Sequence, residues 1–262
     1  MTDLDENTSN ESIAWFRRWF DSTYYHKLYS HQTDEEAKNF IENLIDDLQP
    51  AIGSTMIDVG CGTGRHGKYL AARGFQVTGI DLAFSNIKEA KKSENASLRF
   101  YRHDMRTPFG KENFDYVFNF FASFGYFKNE SEHTRVVGNM CEALRPGGVL
   151  VLDYINHVYA EKNLVAYERR EIDAIVYNTT RWADKGHIFK RITIDDQDMP
   201  GNLEHTEKIA RFDLRHFDEM LLANGLQIKE VYGDYNLSIF EEHDSPRLIL
   251  VAGKPSNFQR VC

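Results

Sequence analysis

The segment that sets the architecture of this chain is MIDVGCGTG, residues 56–64. Its first four residues are mostly apolar and are closed by glycine, which predicts a buried β-strand. Three glycines then alternate over five positions, and a backbone without Cβ atoms can turn sharply and approach a ligand closely. Residues 65–73 predict a helix whose N-terminus points at the same ligand. Strand, glycine turn and helix together form the nucleotide-binding half-unit of a doubly wound α/β fold.

The glycine turn fits two kinds of nucleotide. Residues 62–67 match the G-x-G-x-x-G pattern of dinucleotide sites, which is a weak signal when it stands alone. Asp58 favours a different ligand, because it places a carboxylate at the end of the strand, where it repels a pyrophosphate and attracts an ammonium group. The sequence therefore indicates a nucleoside with a cationic or zwitterionic tail, which is S-adenosylmethionine.

Length and composition narrow the class of protein. The 262 residues are enough for one large α/β domain or for one domain with an insertion. A net charge of −9 disfavours a nucleic acid or an anionic membrane as partner, since both require a basic face. Cys61, Cys141 and Cys262 are widely spaced, and the polar residues 1–10 do not resemble a signal peptide, so we expect a cytoplasmic protein without disulfides. No apolar run is long enough to span a bilayer, and the scattered histidines predict no metal site.

The order of patterns along the chain predicts three parts. Strands and helices alternate over residues 51–160 and again over 212–254, which predicts one α/β domain with a mostly parallel sheet. Residues 161–211 show little helical period and instead alternate apolar and polar side chains, which predicts a small inserted antiparallel sheet. Residues 1–50 carry helical patterns rich in aromatic side chains, and we interpret them as an N-terminal helical lid.

Local signals set the ends of two further elements. Residues 86–92 predict a lysine-rich helix that Ser85 caps at its N-terminus. Residues 145–148, Arg-Pro-Gly-Gly, predict a turn before the fifth strand, which we place at residues 149–153.

Four segments, taken in order, resemble the class I S-adenosylmethionine-dependent methyltransferases. They are residues 58–64, 77–81, 103–105 and 144–148. The resemblance covers residues 56–154 well and the closing helix and strands more loosely. It implies a doubly wound sheet of seven strands. It is closest to the small-molecule branch of the family, which often carries an antiparallel insertion after the fifth strand and includes amine N-methyltransferases.

The resemblance also implies roles for individual residues. Asp58 would hold the ammonium group of the cofactor, directly or through water, and Asp81 would bind two ribose hydroxyls. Asp104 would accept the amino proton of adenine, while the N–H group of Met105 meets a ring nitrogen. The remaining residues of the predicted cofactor site are Gly60, Cys61, Gly62, Thr63, Gly64, Leu82, Asn119 and Phe120.

Methyl transfer from a sulfonium is an in-line displacement whose leaving group is already activated, so the protein mainly supplies alignment and desolvation. A general base is needed only if the nucleophile arrives protonated. We predict that Tyr24, Tyr25, Tyr29 and His31 form a lid over the cofactor, with the inserted sheet as the roof of the acceptor pocket. The predicted catalytic residues are Tyr25, His31 and Tyr126, with His157 as a further candidate base. The predicted acceptor-binding residues are Tyr24, Phe121, Phe124 and Tyr154.

Other functions stay open at this point. A nicotinamide-dependent oxidoreductase would explain residues 62–67 and Asp81, but it does not account for Asp58 or for Asp104. A module that binds the cofactor without catalysis is a further interpretation, although intact acidic residues argue against a decayed site. An RNA methyltransferase is disfavoured by the acidic charge. We expect transfer to a nitrogen or oxygen nucleophile of a small molecule.

Overall fold

The computed structural model describes residues 18–29, 34–199, 201 and 203–256. Within these ranges the strands are β1 (Thr55–Val59), β2 (Gln76–Asp81), β3 (Leu98–Arg102), β4 (Phe114–Asn119), β5 (Leu144–Ile155), β6 (Tyr167–Ile172), β7 (Ile175–Ala183), β8 (His187–Asp195), β9 (Leu203–Ala210), β10 (Gln227–Tyr232) and β11 (Arg247–Gly253). The helices are α1 (Thr23–Leu28), α2 (Asp34–Leu48), α3 (Arg65–Ala72), α4 (Phe84–Ala90), α5 (Glu130–Ala143), α6 (His157–Lys162) and α7 (Leu214–Ala223). None of these helices has the length and the apolar character that crossing a bilayer requires.

The larger sheet has seven strands in the order β10-β11-β5-β4-β1-β2-β3. Strands β1 to β5 pair in parallel, and only β11 runs against its two neighbours. The order reverses at β1, because β2 and β3 lie on one side of it and β4 and β5 on the other. The predicted seven-stranded, mostly parallel α/β sheet is therefore confirmed.

Strand β1 lies inside this sheet between β4 and β2, and helices cover both faces of the sheet. Ile57 and Val59 pack into a cluster that includes residues of α5, whereas Met56 packs into a second cluster with residues of α2. Burying one such side chain stabilises a fold by roughly 1.5–3 kcal/mol. Burial on both faces explains why β1 is a nearly continuous apolar run rather than an alternating one.

Two local predictions are wrong. Helix α4 begins at Phe84 after the cap residue Ala83, not after Ser85, because the Asp81 carboxylate already accepts a hydrogen bond from the Ala83 N–H group at 2.8 Å. Residues 145–148 do not form a separate turn before β5 but belong to it. Here the pairing of β5 with β4 shifts in register.

The inserted segment forms a separate antiparallel sheet in the order β6-β7-β8-β9, as predicted. One face of this sheet packs against the N-terminal residues. Tyr177, Ile192 and Ile194 form a buried cluster there with Trp19 and Leu28. The inserted sheet therefore supports α1, and the Nε2 atom of His26 in α1 lies 3.3 Å from the Ser85 hydroxyl group of α4.

Candidate active site

A cavity of about 410 Å³ lies at the carboxyl ends of the parallel strands. In open α/β sheets ligands bind at this edge, where the strand order reverses. The volume falls within the roughly 300–1,000 Å³ of small-molecule sites. The residues that line the cavity are Phe20, Tyr25, His26, Tyr29, Gly60, Cys61, Gly62, Thr63, Arg65, His66, Ile80, Asp81, Leu82, Asn86, His103, Asp104, Met105, Phe120, Phe121, Ala122, Ser123, Tyr126 and Phe127.

The three glycines of the turn after β1 serve different purposes, although all have positive φ angles. A Cβ atom on Gly60 would lie 2.5 Å from the Cβ atom of Ser123, and one on Gly64 would lie 2.4 Å from the Phe100 ring. A Cβ atom on Gly62 would meet nothing within 4 Å. Gly60 and Gly64 are thus required for packing. Gly62 keeps a wall of the cavity free for a ligand.

Asp81 lies at the end of β2 and lines the cavity. Its carboxylate accepts hydrogen bonds from the N–H groups of Gly62, at 2.9 Å, and Ala83, at 2.8 Å. Burial raises the pKa of Asp81 even though these hydrogen bonds favour its ionised form. Asp81 therefore ties the glycine turn to the start of α4. Its binding to a ribose stays a prediction.

Asp58 is completely buried in β1 and is not part of the cavity wall. Within the described part of the chain, neither of its carboxylate oxygens has a hydrogen-bond partner. Burial and, secondarily, the charge of Asp81 raise the pKa of Asp58 to about 7. A buried carboxylate without a partner beside a ligand cavity fits a cationic group, and contact through water suits its position behind the glycine turn.

Asp104 and Met105 follow β3 and line the cavity, as expected from the sequence. The guanidinium group of Arg106 binds both carboxylate oxygens of Asp104, at 3.0 and 2.7 Å, and also contacts Glu132 at 3.0 Å. The Asp104 carboxylate is therefore held in one orientation. An adenine amino group would share this carboxylate with Arg106.

Aromatic side chains also line the cavity. The ring of Phe20 packs edge-on against Tyr25 at 5.1 Å and against Tyr126 at 5.4 Å, measured between ring centroids. Burial raises the pKa of both tyrosines, and the Glu207 carboxylate raises it further. Both phenols are therefore neutral near pH 7. This opposes the candidacy of Tyr126 as a general base and leaves both tyrosines as hydrogen-bonding groups.

The three other predicted acceptor residues lie outside the cavity, and only Phe121 lines it. The Tyr24 hydroxyl group donates to Asp196 of the inserted sheet at 2.8 Å. Phe124 is fully buried, and its ring packs against His133. Tyr154 is also fully buried and donates to the carbonyl group of Ala210 at 2.7 Å. These predictions are wrong because the side chains fill the core or support α1.

Several further predicted residues do not reach the cavity wall. Gly64 precedes α3, and the Asn119 side chain donates to the carbonyl group of Val59 at 2.6 Å, which joins β4 to β1. His157 pairs with Glu161 instead of lining the cavity. His31 lies outside the described residues. The predicted roof is also wrong, since α1 and its flanking residues separate the inserted sheet from the cavity.

Arg65 and His66 line the cavity, although the sequence does not predict them as site residues. The guanidinium group of Arg65 lies 5.2 Å from the centre of the Phe121 ring. His66 packs between Phe120 and Phe121, and burial lowers its pKa to about 3, so it is a neutral imidazole. Their position in the first turn of the helix after the glycines is the sequence feature that could have predicted them as site residues. No group of side chains suited to a metal ion occurs in the ranges that the structure describes.

Comparison with known proteins agrees with this geometry. Residues 56–148 match a family described as a methyltransferase domain. The dTDP-3-amino-3,4,6-trideoxy-alpha-D-glucopyranose N,N-dimethyltransferase of Streptomyces venezuelae is 33% identical over 204 residues, which cover 74% of this chain and 83% of that protein. This relationship favours a methyltransferase over an oxidoreductase.

Solved structures share the fold at low sequence identity. An S-adenosylmethionine-dependent methyltransferase from Clostridium acetobutylicum superposes with a TM-score of 0.74 at 15% identity, covering 88% of this chain and 96% of that one. The sugar N-methyltransferase KedS8 from Streptoalloteichus superposes with a TM-score of 0.70 at 17% identity, covering 97% of both chains. The matched domain and the Streptomyces relative show that this chain belongs to the class I S-adenosylmethionine-dependent methyltransferases, and the cavity is consistent with this family.

Proposed function

We propose that this methyltransferase acts on a nitrogen or oxygen nucleophile of a small molecule that binds against the aromatic side chains of the cavity. The observation that carries the proposal is that two kinds of residue line one cavity. The glycine turn, Asp81 and Asp104 supply polar groups, and Tyr25 and Tyr126 supply aromatic rings with neutral hydroxyl groups. We assign the first set, the cofactor end, to the nucleoside and the second set, the acceptor end, to the acceptor.

The residues of the cofactor end fit the cofactor. Asp81 would hold the ribose, and Gly62 leaves space for the tail. Asp58 would balance the ammonium group through water, because its oxygens are buried without partners in the described structure. S-adenosylmethionine, when bound, supplies an electrophilic methyl group on a sulfonium whose leaving group is already activated.

The residues of the acceptor end position the acceptor and exclude water. Aromatic rings also attract cations, which suits the sulfonium of the cofactor. The hydroxyl groups of Tyr25 and Tyr126 stay protonated, so they orient the nucleophile and do not remove its proton. An amine that arrives neutral needs no base, and its proton leaves after methylation. If a base is used, His31 is our candidate.

Two similarities support a small acceptor, and an amine in particular. The Streptomyces relative is named as an N,N-dimethyltransferase of an amino sugar nucleotide, and KedS8 is titled a sugar N-methyltransferase. The net charge of −9 supports an acceptor other than nucleic acid. The buried free thiol of Cys61 supports a reducing compartment, so we place the enzyme in the cytoplasm.

Calorimetric titration of S-adenosylmethionine and S-adenosylhomocysteine into the protein tests the cofactor end. We expect micromolar binding that Asp81→Ala reduces by at least tenfold. Asp115→Ala is the matched control, because Asp115 accepts hydrogen bonds from Thr55 at the opposite edge of the sheet. It should lower stability without weakening either ligand. Absence of binding to the wild-type protein would contradict the proposal.

Transfer of a labelled methyl group to a panel of amines, amino sugars, phenols and carboxylic acids tests the acceptor end. We expect a product in the amine or hydroxyl classes. Labelling only of RNA or protein in the same assay would exclude a small acceptor.

A further inference from the structure

Two adjacent residues on the cavity wall have an unusual backbone conformation. Phe121 has a φ angle of +55° and Ala122 one of +54°. This left-handed region disfavours residues with a Cβ atom, and such residues persist only where their surroundings hold them. Both residues line the cavity and follow β4, which ends at Asn119. The structural reason for this strained turn must lie in the residues that contact it.

Asp153 of β5 supplies that reason. Its carboxylate accepts a hydrogen bond from the Phe121 N–H group at 2.7 Å, and its backbone carbonyl accepts one from the Ala122 N–H group at 3.2 Å. Asp153 is completely buried, and the Nε atom of Arg247 donates to it at 2.8 Å. The Tyr235 hydroxyl group donates to the same carboxylate at 3.1 Å. Both strained residues are thus bound to one buried acidic residue.

The turn is also fixed from its other side. The Tyr235 ring stacks on the Phe121 ring, with the centroids 4.9 Å apart and the planes inclined by 28°. The Ser123 hydroxyl group donates to the carbonyl group of Gly60 at 3.2 Å. A displacement of the turn would therefore be transmitted to the glycine turn, against which Ser123 is packed.

We propose that Asp153, together with Arg247 and Tyr235, is a positioning residue that holds the 121–122 turn in its left-handed form and thereby fixes the cavity for the cofactor and the acceptor. None of these three residues lines the cavity, so they act through Phe121 and Ala122. The part that concerns the acceptor rests on the proposed function. The part that concerns the turn and cofactor affinity does not depend on which acceptor is used.

The test uses Asp153→Asn, which keeps the shape of the side chain and removes the charge that faces Arg247. The probe is S-adenosylhomocysteine, and its affinity is measured by calorimetry. Hydrogen exchange of the Phe121 and Ala122 amides is measured in the free protein. We expect an affinity at least tenfold weaker and faster exchange at both amides. Tyr235→Phe removes one hydrogen bond and should change both quantities in the same direction by a smaller factor.

Glycine variants separate positioning of the turn from general stability. Ala122→Gly removes the Cβ atom that disfavours the left-handed form, so it should restore about fivefold in affinity to Asp153→Asn. Ala174→Gly is the matched control. Asp173 and Ala174 also adopt positive φ angles, of +50° and +62°, but they lie between β6 and β7, away from the cavity. Ala174→Gly should stabilise the protein to a similar degree without restoring affinity.

The proposal would be overturned if Asp153→Asn and Tyr235→Phe left both the affinity and the amide exchange unchanged. It would also be overturned if Ala122→Gly and Ala174→Gly restored the affinity of Asp153→Asn equally. If Asp153→Asn does not fold, Tyr235→Phe combined with the same two glycine variants decides the question. If the wild-type protein binds no S-adenosylhomocysteine, the proposed function fails. Amide exchange at 121 and 122 still tests the turn in that case.

Discussion

Glu207, on strand β9 of the inserted sheet, accepts a hydrogen bond of 2.9 Å from the hydroxyl group of Tyr29, whose ring lines the cavity. The same carboxylate oxygen accepts a hydrogen bond from the Trp19 indole at 2.7 Å. Lys190 lies directly opposite Glu207 on β8, and its ammonium group donates to the Tyr29 hydroxyl at 2.5 Å. The inserted sheet therefore contacts the site through the segment around α1, and we infer that it fixes this segment as a lid.

Removing the Tyr29 hydroxyl should loosen this contact. We expect Tyr29→Phe to weaken S-adenosylhomocysteine about five- to tenfold, because a hydrogen bond to a charged group contributes roughly 1.5–3 kcal/mol and part of it holds the wall of the cavity. Calorimetric titration measures the effect. Tyr24→Phe is the matched control, since its hydroxyl group donates to Asp196 and its ring does not line the cavity. Equal loss of affinity in both variants would argue against a lid.

The sequence is most informative where local chemistry decides the structure. The alternation of glycines predicts the turn after β1, and an acidic residue at the end of β2 predicts that Asp81 reaches the cavity, because both depend on neighbours in the chain. Tyr24 and Tyr25 show the limit. They are adjacent on one helix, and only Tyr25 lines the cavity. The inserted sheet determines which of the two side chains faces the cavity, because it supplies partners such as Asp196, which lies more than 170 residues away from Tyr24 in the sequence.

Strand β5 shows the same limit for a strand. From the sequence we predict that Tyr154 lines the acceptor pocket, whereas in the structure the neighbouring Asp153 contacts Phe121. Successive side chains of a strand point to opposite faces, so an error of one residue exchanges one buried face of the strand for the other, and the Asp153 side chain is the one that contacts the 121–122 turn. Since β5 is buried on both faces, its apolar pattern does not specify which face a given residue occupies.

The glycines of the turn should respond differently to alanine. Gly60→Ala should destabilise the fold by several kcal/mol, because its Cβ atom would lie 2.5 Å from Ser123 and its φ angle is +79°. Gly62→Ala should cost only about 1–2 kcal/mol, since its Cβ atom meets no protein atom within 4 Å. The same Cβ atom would occupy the cavity, so ligand affinity should fall by tenfold or more. Thermal unfolding and calorimetry distinguish the two effects. A Gly62→Ala variant that binds like the wild type would contradict the assignment of this wall to the cofactor.

The buried carboxyl group of Asp58 should make stability depend on pH. Its pKa is raised in the folded protein from 3.8 to about 7. The stability that the protonated group provides is therefore complete below about pH 4 and is lost as the pH rises through about 7, with a slope of at most about 1.4 kcal/mol per pH unit. Asp58→Asn should remove this component. Denaturant unfolding of the free protein between pH 4 and pH 8 measures the difference between the two proteins.

Ligand binding should show the opposite dependence on pH. A cationic group beside Asp58 favours its ionised form, so the affinity for S-adenosylhomocysteine should increase as the pH rises from 6 to 8. Asp81 and Arg65 are the charged groups that act on Asp58, and both are present in Asp58→Asn. An increase that persists in Asp58→Asn would therefore arise from another group and would contradict a role of Asp58 in binding the ammonium group. An increase that disappears in this variant would identify the carboxylate that pairs with the tail of the cofactor, although Asp58 does not line the cavity.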